Sequence, residues 1–203
     1  MGAPLMSAKV AWMVVCLASA AVASASHGAE RDASAQMRAL NADLLAHDSA
    51  TEVLGGWCAS RRLADPPAIR VERDMGVDKP ADGQIRALLR LRANEPVRYR
   101  RVRLVCGSHV LSNADNWYVP DRLTPDMNRR LEQSDTPFGL VVKPLGYHRV
   151  RLTATLLLDH DGQPKGGQSV LRHKALLVTA AGSPFSLVVE TYTRAVLDQG
   201  PAR

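Results

Sequence analysis

Seven arginines fall within eighteen residues: Arg86, Arg90, Arg92, Arg98, Arg100, Arg101 and Arg103. If the stretch from Val97 is a strand, alternation puts Tyr99, Arg101 and Arg103 on one face and Arg100, Val102 and Leu104 on the other. One set must then face the covered side of its sheet. An arginine held there needs an anionic partner, from the protein or from a ligand. A solvated strand edge accounts for the same residues, and nucleic acid is disfavoured because the arginines lack a repeated pattern of interleaved aromatic residues. Other chemistry finds little support. There is no GxGxxG, P-loop, GxSxG or HExxH pattern, and His27, His47, His109, His148, His160 and His173 lack metal-ligand spacing. Asp159–Gly162 opens like a calcium loop but lacks the glutamate at the twelfth position, and reads as a hairpin turn. No metal and no organic cofactor is expected.

The elements that would position these arginines are legible in outline. Ser34–His47 carries Met37, Leu40, Leu44 and Leu45 on a helical period, and Ser49–Glu52 reads as a capping box opening a second helix through Trp57, weakened by Gly55 and Gly56. Pro66 and Pro67 break the chain, Ala68–Glu72 alternates like a strand, and Asp82–Arg90 suits a short helix. From Val97 the chain turns to β: Val97–Cys106, Asn116–Val119, Tyr147–Leu158, Val170–Thr179 and Phe185–Leu197. Thr124 and Pro125 start a helix running to Leu131. Strands in series with short turns predict a single α+β domain, an antiparallel sheet with helices on one face.

The chain has 203 residues, a formal charge of +6 and 46% hydrophobic residues, enough for one ordinary core and too mixed in charge for disorder. Lys9, the apolar run Val10–Ala23 and the small residues Ala23 and Ala25 have the layout of a secretory signal, so residues 1–25 are expected to be removed on export to the periplasm or medium, leaving 26–203 as the domain. The run is too short for a stable membrane span. Cys58 and Cys106 then remain, either as a disulfide or as two buried thiols.

Several segments together resemble the chorismate pyruvate-lyase family, whose fold is shared by ligand-binding domains of certain transcription regulators. His47–Thr51 is similar to its Asp-Ser-x-Thr segment, Arg98–Cys106 to its central strand, Trp117–Pro120 to the next strand, Thr136–Gly139 to its Thr-Pro-Leu-Gly turn, and Gly182–Thr191 to its closing hairpin. The resemblance implies a chorismate lyase-like fold with the ligand enclosed beneath flaps. It places the carboxylate-binding arginine at Arg101, the catalytic or ligand-bonding acid at Glu190, an apolar pocket residue at Phe138 and a flap residue at Ala50, with Asp115 near the pocket where the family has glycine.

The expected activity is therefore lyase-like conversion of chorismate to 4-hydroxybenzoate and pyruvate, with Arg101 clamping the ring carboxylate and Glu190 bonding the hydroxyl or accepting the ring proton. The alternative is an exported, non-catalytic binder of a small aromatic or other carboxylate. A third arrangement has Arg101 and Glu190 as an internal ion pair. The expected partner is a small anionic aromatic ligand, with no nucleic acid, and the chain is expected to be a monomer.

Overall fold

The computed structural model describes residues 32–159 and 168–201. The expected signal segment, and the turn from His160 onward, lie outside the described residues. The first helix, α1, covers residues 32–46 and buries Met37, Leu40 and Leu44, the periodic face read from the sequence. Next, α2 (Ala50–Ser60) is capped by the Ser49 hydroxyl, which accepts from the Glu52 amide. It continues through Gly55 and Gly56 because Val53, Leu54 and Cys58 are buried around them.

Six strands follow the helical start: β1 (Ile69–Arg73), β2 (Arg98–Cys106), β3 (His109–Tyr118), β4 (His148–Leu156), β5 (Ser169–Val178) and β6 (Pro184–Thr193). They form one sheet in the order β1-β2-β3-β6-β5-β4, every neighbouring pair antiparallel. The strand β3 begins seven residues earlier than the sequence pattern suggests. Ser112, Asn113, Asp115 and Asn116 hide it in the sequence, yet the turn at Gly107 (φ 57°) folds it directly back on β2.

Three short helices complete the fold: α3 (Gly83–Leu88), α4 (Pro125–Gln133) and α5 (Phe138–Val142). The Thr124 hydroxyl accepts from the Met127 amide and caps α4, as expected. On one face of the sheet, α1 and α2 pack over Leu104, Cys106, Leu111, Leu171 and Tyr192, while α4 and α5 pack over Tyr118 and Leu177. The fold is α+β, with all the α-helices but α3 gathered on this face. A smaller patch of cover, Ile85 and Leu89 from α3 and its end, lies on the other face over Trp117 and Leu187. Cys58 and Cys106, both fully buried, are joined in a disulfide, which ties α2 to the end of β2. Among the described residues no helix is long and apolar enough to cross a membrane.

Candidate functional site

A cavity lies between the helical face of the sheet, the first turn of α2 and the turn leading into α5. It leaves about 60 Å³ open to the centres of water-sized molecules. Val102, Leu104, Val188 and Phe138 give it apolar walls; Arg100, Arg149, Glu190 and, at the α2 end, Asp48 give it charge.

Arg100 comes from β2 and is 6% exposed. Its terminal nitrogens reach only the Ser134 and Thr136 carbonyls, at 3.3–3.4 Å, long for hydrogen bonds. Its Nε has no partner. Burial lowers the Arg100 pKa to about 10, helped by the neighbouring charge of Arg73. No carboxylate lies within ion-pair distance of it among the described residues.

Glu190, on β6, has its Oε2 taken up by two donors. Arg149 of β4 forms a buried ion pair with it, and the Tyr192 hydroxyl donates at 3.0 Å. Tyr192 is fully buried, and burial beside the Glu190 charge raises its pKa well above the ordinary value. His173 stacks edge-on against Tyr192, its Nε2 2.8 Å from Asn41 Oδ1, and desolvation lowers its pKa. Arg149, Glu190, Tyr192 and His173 form a continuous polar wall reaching from the cavity to α1.

The structure brings Glu190, Phe138 and Ala50 to this cavity. It does not bring Arg101 or Asp115. Arg101 lies on the opposite sheet face, its Nε 3.5 Å from Asp74. Asp115 faces it in register from β3 and is bonded by the Tyr99 hydroxyl and by Lys79 Nζ at 2.7 Å. The expected meeting of Arg101 and Glu190 in one site, directly or across a ligand, is therefore corrected. Arg100 occupies the cavity wall and Arg149 pairs with Glu190. A displacement of one residue along a strand reverses the face, and the apolar companions Val102 and Leu104 marked the covered face in the sequence. Arg149 had no such signal, because β4 is an exposed edge strand whose residues are mostly polar.

No family model matches the chain. Over 183 residues it is 44% identical to the uncharacterized protein y4mC of Sinorhizobium fredii, an alignment covering 82% of this chain and 77% of that protein. The chain belongs to the y4mC family. The y4mC-family fold is similar to that of PhnF from Mycobacterium smegmatis, with a TM-score of 0.52 and 11% identity over 72% of this chain and 64% of PhnF. The chain thus spans a little under two thirds of PhnF. A further solved structure is the C-terminal domain of the histidine utilization repressor from Pseudomonas syringae pv. tomato, with a TM-score of 0.45 and 14% identity over 66% of this chain and 97% of that domain. The arrangement shared with PhnF is the chorismate lyase-like fold.

Proposed function

We propose that this chain is an exported binding protein whose cavity takes a compact aromatic hydroxy acid of the 4-hydroxybenzoate type. The observation that carries this reading is Arg100, buried at the cavity wall with no carboxylate to meet it. A guanidinium so placed favours an anionic ligand, and its fork suits a carboxylate. Glu190 offers an acceptor to a hydroxyl at the other end of the ligand, and Val102, Val188 and Phe138 suit the faces of a ring.

Cleavage of chorismate to 4-hydroxybenzoate and pyruvate would use the same cavity and would need a group to accept a ring proton. Arg149 and Tyr192 already donate to Glu190 Oε2. An oxygen already held by two donors is not free to reach a ring proton, which supports binding without turnover. Export, with removal of about 25 residues, is supported by the apolar N-terminal run and by the buried Cys58–Cys106 bond, the chemistry of an oxidising compartment.

Calorimetric titration of the mature domain with 4-hydroxybenzoate tests the site. Arg100→Met should weaken binding at least tenfold and Arg101→Met should leave it unchanged. Equal losses in both variants would replace the cavity with a diffuse basic surface. Release of 4-hydroxybenzoate from chorismate, abolished by Glu190→Gln, would replace binding with the lyase reaction.

A further inference from the structure

Arg100 is not alone. Arg73, on β1, shares the cavity face with Val71 by alternation and stands opposite Val102 in register. Its Nη1 donates to the Glu132 carbonyl at 2.5 Å, and its Nε is buried without a partner. Arg100 reaches the Ser134 and Thr136 carbonyls on the same short stretch. Two guanidinium groups therefore converge on the end of α4, each with an orphaned Nε.

The acids nearby offset them only in part, the exposed Asp135 acting on Arg100 from a distance. The Glu132 carboxylate pairs with Arg98, and Asp135 is exposed and lies within ion-pair distance of neither Arg73 nor Arg100. What faces them is the carbonyl end of α4, which carries about half an elementary charge. Half a charge and the screened field of Asp135 do not balance two guanidinium groups, so an excess of positive charge remains at this end of a partly enclosed cavity, where charges interact more strongly than in water. Positioning α4 alone would not need a second cation.

We propose that Arg73 and Arg100 together make this end of the cavity a seat for a doubly charged anionic group, a phosphonate or phosphate monoester in preference to a single carboxylate. This rests on the cavity being a ligand site entered by an anion at Arg100. Arg100 contacts the group, whereas Arg73, behind it, selects for the second charge through its field.

The test compares two ligands with one ring: 4-hydroxybenzoate and 4-hydroxyphenylphosphonate, titrated at about pH 8, where the second is a dianion. The wild type should bind the phosphonate at least tenfold more tightly. Arg73→Met should reduce that ratio to about two and weaken the carboxylate itself about fivefold, because the same field acts on one charge there and on two in the phosphonate, and Arg73→Lys should keep most of the preference. Should Arg73→Met fail to fold, the wild type still decides: the preference must collapse at about pH 5.5, where the phosphonate carries one charge. A parallel thermal-shift series with inorganic phosphate against chloride at equal ionic strength needs no ring. Binding of 4-hydroxybenzoate through Arg100 with no phosphonate preference overturns the dianion seat alone, as does a preference that survives Arg73→Met. Stabilisation by phosphate that depends on Arg73, with neither aromatic compound binding, upholds the seat and overturns the aromatic ligand. If no anion stabilises the protein and neither compound binds, both readings fall.

Discussion

Arg149 and Glu190 sit two strands apart in the sheet and form an ion pair whose side chains are 6% and 9% exposed. Burying two charges costs several kcal/mol per ion unless geometry and further hydrogen bonds compensate. Here the Tyr192 hydroxyl supplies a third contact, to Glu190 Oε2. Breaking one side leaves the other charge buried and unmatched. Glu190→Gln and Arg149→Met should each destabilise the fold by about 3–5 kcal/mol, and the double variant should cost much less than their sum. Urea denaturation of all four proteins measures this. Additive losses would mean that the two charges are not coupled.

The disulfide should hold the cavity together as well as the fold. Cys58 lies in the helix whose first turn borders the cavity, and Cys106 ends the strand that carries Arg100. With a sequence separation of 48, the loop-entropy relation gives about 4 kcal/mol of stabilisation. Replacing both cysteines by alanine should lower the denaturation free energy by about that amount. A denaturant midpoint unchanged by the double substitution would show that the reduced protein keeps the same constraint by packing.

How much of this was readable beforehand follows the residue chemistry. The α1 face, the Ser49 and Thr124 caps and most strands were legible because local rules govern them: helical periodicity, side-chain capping and β-rich runs between turns. The early part of β3 was not, since its polar residues are fixed by pairing with β2 and β6 rather than by their own pattern. The family resemblance points to Ala50, Phe138 and Glu190, which do line the cavity, and to Arg101, which stands one residue away from the arginine that faces it. Nothing local distinguishes Arg149 from Arg151, the other arginine of its strand. Its partner, forty-one positions away, is brought to it only by the sheet order.

Glycine positions give a paired stability prediction. Gly56 lies on the exposed side of α2, and a methyl group there would meet nothing within 4 Å. Gly56→Ala should therefore stabilise the protein by about 0.5–1 kcal/mol. Gly107 is the opposite case: its φ is +57°, and an added Cβ would stand 2.9 Å from Ala64 Cβ. Gly107→Ala should destabilise it. Thermal melting of both variants checks the signs, and a lower midpoint for Gly56→Ala would mean that α2 needs its flexibility in the folded state.

Glu95 sets the acid limit. It is almost fully buried and accepts from Arg122 Nε at 2.9 Å, Arg122 Nη2 at 2.8 Å and the Arg92 amide at 3.0 Å. The Arg122 hydrogen bonds, then the Arg92 amide, hold its carboxyl at about 2 against an ordinary 4.5, with burial opposing them. Arg122 also donates to the Leu89 and Pro184 carbonyls, so this carboxylate fixes the guanidinium that joins the end of α3 to the start of β6. A group whose pKa is depressed by folding binds protons more weakly in the native state. Its contribution is complete above about pH 4.5 and is lost as the pH falls toward about 2. Glu95→Gln should lower stability at pH 7 and, because the variant has no proton to take up at this position, flatten the fall in stability between those two pH values. Denaturant midpoints collected across that window measure both effects. A variant that loses stability with the same acid slope as the wild type would transfer the acid sensitivity to another carboxylate.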